Sequence, residues 1–174
     1  MPLKVWLINP YGNLPGDGWR DYRSTLIANA FTKYGHEVVW WVSNFDHRSK
    51  KFRSESWKDI QVNKGYLIKM VPTTSYVSHI SLARIRHERN YANNFRKKAL
   101  TNDDKPDLAI LAEPALFTSD IILEVLRKKN IPFIVDILDL WPELFDIFLP
   151  KKLSASYALK QLNLIFVIGL ILWK

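Results

Sequence analysis

The chain has 174 residues, 48% hydrophobic and 13% aromatic, enough apolar material for one buried core and too much for a disordered tail. It contains no cysteine, which excludes a disulfide framework, a thiolate metal site and a cysteine nucleophile, and fits a reducing compartment. The net charge of +8 is concentrated: residues 47–100 hold 13 Lys/Arg against 3 Asp/Glu, and the remainder holds 12 against 14. A basic middle on a near-neutral frame suits an anionic surface, whether phospholipid, phosphate-bearing ligand or nucleic acid.

The N-terminal run MPLKVWLINP is too short for a signal-peptide core and ends at Asn9-Pro10. It therefore reads as a first strand, Lys4 to Ile8, starting at once. A turn-rich loop follows, with three glycines, Gly12, Gly16 and Gly18, and two prolines in twelve residues. Residues 20–34 then predict a helix with Tyr22, Leu26, Ile27, Ala30 and Phe31 on its buried face, stopped by Gly35. Glu37 to Ser43 predicts a second strand and, after a polar stretch, Tyr66 to Val71 a third. Ile80 to Leu100 predicts a basic helix whose apolar stripe is Ile85, Tyr91, Ala92, Phe95 and Ala99. Asp107 to Ala112, a helix over Thr118 to Lys129, and a buried strand from Pro132 to Leu138 complete the series. Strands apolar almost throughout, with helices between them, predict an α/β, Rossmann-like doubly wound domain with a mostly parallel sheet covered on both faces.

In such a domain ligands collect at the carboxyl ends of the strands. The first loop, with Gly16 and Gly18 ahead of a helix N-terminus, suits close approach by an anionic group. It is neither a dinucleotide fingerprint nor a P-loop, because the third glycine and the Gly-Lys-Ser/Thr sequence are both absent. The segment Asn44 to Arg53 mixes aromatic residues, His47 and basic side chains, and reads either as a solvated loop or as a binding loop. No His/Asp/Glu cluster has metal spacing, and His36 beside Gly35 reads as structural. On the basic helix, Arg84, Arg86, Arg89, Arg96, Lys97 and Lys98 form either a solvated face or one resting on anionic lipid. No nucleic-acid-binding motif accompanies them. Glu113 ends the fourth strand, and Asp136 and Asp139 fall near the end of the fifth; acids at these positions suit either a cleft or a helix cap.

Four stretches carry a resemblance: Pro15 to Arg23 (PGDGWRDYR), Gly35 to Val38 (GHEV), Glu113-Pro114, and Asp136 to Glu143 (DILDLWPE). In this order they resemble the N-terminal domain of family 4 glycosyltransferases of the two-domain GT-B type, as found in bacterial surface-polysaccharide synthesis. The resemblance covers about residues 3–150, leaving 151–174 as a hydrophobic tail. It implies a retaining, metal-free and cofactor-free transfer of sugar from a nucleotide-sugar donor to a glycan or lipid-linked acceptor bound by this domain. By position, Gly16, Asp17, Gly18 and Arg20 would approach the donor phosphate and sugar. Asp139 would stand at the reacting centre, where relatives often have histidine, and Glu113, Asp136 and His47 would line the acceptor cleft. The basic helix would face anionic lipid at the inner face of the plasma membrane.

In that family a second Rossmann-like domain holds the donor, and its motifs are not found before Lys174. The expectation is a half-enzyme, inactive without a donor-binding domain or chain, or else a non-catalytic membrane-surface or partner-binding module that keeps the fold. Leu162 to Trp173 (LNLIFVIGLILW) is shorter than the about 20 residues of a spanning helix. It reads as a membrane-dipping anchor, as a helix for a partner domain, or as residues following a frameshift, the last two being preferred.

Overall fold

The computed structural model describes residues 1–79, 81–113 and 117–137. Its centre is β1 (Lys4–Ile8), whose residues after Lys4 are all buried, so both faces of the strand must be covered. β1 pairs in parallel with β2 (Glu37–Ser43) on one side and with β7 (Leu108–Glu113) on the other. β2 in turn pairs in parallel with β6 (Tyr66–Val71). With β5 (Lys58–Asn63) and β8 (Phe133–Ile137) the sheet has the order β5-β6-β2-β1-β7-β8. The fold is α/β and Rossmann-like, with a mostly parallel sheet.

Strand alternation sends successive side chains to opposite faces. Trp6, Ile8, Val39 and Trp41 meet α2 (Leu82–Thr101) and α3 (Ser119–Lys128) on one face. Val5, Leu7, Val38, Trp40 and Val42 meet Leu14 and α1 (Arg23–Lys33) on the other. Trp6, Trp41 and Phe95 stand edge to face, with centroids 5.3, 5.9 and 5.1 Å apart, a geometry that adds to their area burial. The apolar stripe of α2 is thus committed to the core: Tyr91, Ala92, Phe95 and Ala99 are all fully buried. Tyr91 also donates its hydroxyl to the Trp41 carbonyl at 2.7 Å.

Three expectations are corrected. α1 begins at Arg23 and buries Ser24, Thr25 and Ala28, whereas Tyr22, Leu26 and Ala30 are exposed. Hydrogen bonds decide its face: Ser24 Oγ accepts from Asn9 Nδ2 at 2.8 Å, and Thr25 Oγ1 donates to the Asn13 carbonyl at 2.9 Å. The polar stretch after β2 contains two short strands, β3 (Phe45–Asp46) and β4 (Lys51–Phe52), and then β5, which is antiparallel to β6. Finally, β8 lies at the sheet edge and is not buried: Phe133, Ile134, Val135 and Ile137 are all exposed. Apolarity identified the strand, but edge position sets its exposure.

Two substitutions test this packing. Phe95→Ala removes the aromatic partner of both tryptophans and is expected to cost about 3–5 kcal/mol in denaturant unfolding. At Gly12, where φ is +142°, an added Cβ would lie 2.6 Å from the Trp40 ring. Gly12→Ala is therefore expected to cost about 2 kcal/mol or more through overpacking and backbone strain.

Candidate functional site

α1, after β1, and α3, after β7, pack on opposite faces of the sheet, a switch point of the kind at whose carboxyl strand ends ligands collect in doubly wound sheets. Asn9, at the end of β1, starts the first wall: its Oδ1 accepts from the Tyr11 backbone N–H at 3.0 Å. The β3–β4 hairpin supplies the second. Asp46 accepts from the backbone N–H groups of Arg48 and Ser49 at 3.2 and 3.0 Å, closing a turn that ends at Lys50 in the left-handed region, φ 58°. Burial works to raise the Asp46 pKa, but the bonds from Ser49 and Arg48 and the Arg53 charge prevail and hold it below the usual carboxylate value. Arg53 ties the two walls together, donating through Nη2 to the Gly12 carbonyl (3.0 Å), Asp17 Oδ2 (2.7 Å) and Asp46 Oδ1 (3.1 Å).

The third wall is the first half of α2, whose N-cap Ser81 accepts from the Arg84 N–H at 3.2 Å. From there the helix carries Glu88 toward the strand ends, 2% exposed. The Glu88 carboxylate accepts from the Tyr11 hydroxyl (2.6 Å), Arg84 Nε (3.2 Å) and the Phe117 backbone N–H (3.3 Å). One carboxylate thus joins the loop after β1, α2 and the loop after β7. Burial, reinforced by the charge and hydrogen bond of Glu88, raises the Tyr11 pKa far above its ordinary value, so this phenol stays a hydrogen-bond donor.

Around Tyr11 lie His47, Tyr76 and His87, with His79 beside His47. Ring centroids are 5.1 Å apart for Tyr11–His47, 5.0 Å for Tyr76–His87 and 4.7 Å for His47–His79. His47 Nδ1 and the Tyr76 hydroxyl are hydrogen-bonded to each other. His87 Nδ1 lies 2.6 Å from the Thr74 carbonyl, which can only accept; Nδ1 therefore carries the proton and Nε2 is a bare acceptor, buried without a partner. Burial first, then the nearby charges of Lys50, His79 and Arg84, lower the His47 pKa to about 4. Burial likewise lowers His87 to about 4, against the opposing bond to Thr74. Tyr76 is pushed up to about 12 by burial. The site is therefore a set of neutral aromatic donors and acceptors at near-neutral pH, bordered by cations.

Of the residues singled out in the sequence, His47 stands inside this cluster. Gly16 and Gly18 have φ values of 94° and 77° with open space where a Cβ would be, so they serve the turn conformation. The Asp17 carboxylate turns inward to the Leu14 N–H (2.9 Å) and Arg53, and Arg20 is exposed. Asp136 is engaged by Arg23 through two hydrogen bonds of 2.6 and 2.5 Å, which tie β8 to the start of α1. Glu113 ends β7 at the same end of the sheet. Asp139, Pro114, the boundary near residue 150 and the apolar tail lie outside the described residues.

Three arginines of the basic helix are in ion pairs. Arg84 pairs with Glu88, Arg89 with Asp120 at 2.6 Å, and Arg96 with Glu124 at 3.8 Å. Arg86, Lys97 and Lys98 are exposed. The apolar stripe of α2 is buried against the sheet, and Leu82 and Leu100 are its exposed large hydrophobic residues. Among the described residues no helix is long and apolar enough to cross a membrane, and no group of three or more metal-ligating side chains converges.

Tyr11, Tyr76, His87 and Glu88 escaped the sequence reading. A signal existed for the last two: stepping back three or four residues from buried Tyr91 and Ala92 lands on His87 and Glu88, polar groups in core positions. A separate depression of about 660 Å³ lies at the opposite end of the sheet, lined by residues including Thr32, His36, Asn63 and Gly65. It is an open surface between two turns; His36 there accepts from the Leu3 N–H at 3.1 Å, and no comparable set of buried polar groups meets. The strand-end cluster is the better candidate.

The two buried imidazoles give the domain a pH dependence with a definite sign. Each titrates near 6.5 when unfolded and near 4 in the fold, so between these values the unfolded chain binds more protons. Stability is fully present above about pH 6.5 and is lost as pH falls toward about 4. Urea midpoints across that window should fall with pH, and His87→Gln should flatten the slope; an unchanged slope contradicts the assignment of neutral His87.

No family model and no curated protein matches the chain. Among solved structures, a similar one is the C-terminal domain of a hydrogenase from Pyrococcus furiosus: 16% identity, TM-score 0.47, covering 76% of this chain and 90% of that one.

Proposed function

We propose that this domain is the acceptor-binding domain of a retaining glycosyltransferase, and that the strand-end cluster holds a glycan or lipid-linked glycan acceptor for a sugar delivered from a nucleotide-sugar donor. The observation that carries the reading is the constellation of Tyr11, His47, Tyr76 and Glu88 at the topological switch of a Rossmann-like sheet. Carbohydrates present hydroxyl groups that both donate and accept, together with apolar C–H faces. Neutral imidazoles and phenols answer the first, and the face of exposed Trp19 answers the second.

The motif resemblance adds the reaction type. In that reading Gly16 and Gly18 flank the path of the donor sugar, Glu113 lies at the acceptor end of β7, and Asp139 serves the reacting centre. Asp136 holds α1 in place through Arg23.

Binding of the full chain to a panel of bacterial surface oligosaccharides, read by saturation-transfer NMR, tests the proposal. Saturable glycan binding is expected, with His47→Ala and Trp19→Ala each weakening it about tenfold while the fold is retained, the loss expected for one well-placed hydrogen bond or ring contact. Absence of binding to every glycan, or binding that both variants leave untouched, would sink it.

A further inference from the structure

Among the described residues, Lys50 borders the strand-end rings without an ion pair. Arg53 is balanced by Asp17 and Asp46, and Arg84 by Glu88. The Lys50 ammonium has no hydrogen-bond partner, is screened from solvent, and lies 4.2 Å from the centroid of the Tyr76 ring. A cation–π contact offsets only part of the cost of desolvating an ammonium. Lys50 as a whole residue is half-buried. Its position is fixed from behind by the Asp46 turn, with Lys50 N–H donating to the Asp46 carbonyl at 2.9 Å.

Three more nitrogen-bearing groups border the same ring cluster: the neutral imidazole of His47, exposed His79, and Arg84, whose guanidinium carbon lies 5.5 Å from the Tyr11 centroid. Burial first, and then the charges of Lys50, His79 and Arg84, disfavour the protonated form of His47, while Asp46 opposes them.

We infer that Lys50, His47, His79 and Arg84 form a binding site for a phosphoryl group, either a phosphate ester or a diphosphate. A tetrahedral oxyanion offers three or more acceptor oxygens in different directions, which suits donors arriving from a hairpin, a loop and a helix better than the two coplanar oxygens of a carboxylate. The site does not depend on the glycosyltransferase reading: phosphoryl binding can stand if no glycan binds, and glycan binding can stand without it.

Three of the four histidines of the chain, all but His36, belong to the cluster, so ring signals in 1H–15N NMR report on it directly. Pyrophosphate added at constant ionic strength should shift His47 and His79 saturably and leave His36, at the far end of the sheet, unmoved. Lys50→Gln should weaken binding about tenfold or more, the loss of a charge-assisted hydrogen bond, whereas Lys97→Gln on the exposed side of α2 should not. If Lys50→Gln does not fold, the shifts in the unaltered chain decide alone. Phosphatidylglycerol vesicles form a second arm. Vesicle binding in addition to pyrophosphate binding, both lost in Lys50→Gln, assigns a lipid headgroup as one source of the phosphoryl group. Vesicle binding without any response to pyrophosphate, shifts confined to His36, or pyrophosphate affinity unchanged in Lys50→Gln each overturns the inference.

Discussion

A single buried carboxylate governs the functional end of this domain. Glu88 is almost wholly removed from water and keeps its charge acceptable only because Tyr11, Arg84 and the Phe117 N–H all donate to it. A carboxylate so placed would otherwise be strongly destabilising. Its three donors come from three different segments, so satisfying the charge fixes the relative position of the β1 loop, α2 and the β7 loop. Tyr11 then supports the aromatic and imidazole groups around it.

The sheet makes this arrangement possible by leaving little freedom elsewhere. Trp6, Trp41 and Phe95 lock α2 against the strands, and Trp40 occupies the space beside Gly12, where its indole N–H donates to the Asn9 carbonyl at 3.2 Å. The loop after β1 is held at both ends, by Trp40 and Asn9 near the strand and by Ser24 and Thr25 at the helix. Packing in the core is thereby converted into precision at the strand ends, the usual division of labour between a rigid scaffold and its loops.

Much of the scaffold was legible in the sequence, and the reasons for the failures are physical. β1, β2, β6 and β7 announced themselves as continuous apolar runs because parallel strands are buried on both faces. β5 did not, since an edge strand alternates polar and half-buried residues; the Asn63-Lys64-Gly65 turn ahead of β6 was the available clue. The buried face of α1 was misread because Ser24 and Thr25 are chosen by hydrogen bonds to the first loop, which hydrophobic periodicity does not register. The site was legible only through His47. Tyr76 and Tyr11 come from separate loops and become neighbours only through the fold, and the basic character of α2 drew attention to its outer arginines and away from His87 and Glu88.

The account turns on Glu88 as the tie between three segments, and amide hydrogen exchange on Glu88→Gln tests it most directly. Glutamine preserves shape but offers one acceptor oxygen where two were used and carries no charge for Arg84. Faster exchange is expected together in residues 10–18, in the first turns of α2 and at Phe117, with β5 and β6 unchanged. Exchange altered only within α2, or unaltered in all three segments, would contradict the claim that this carboxylate assembles the site.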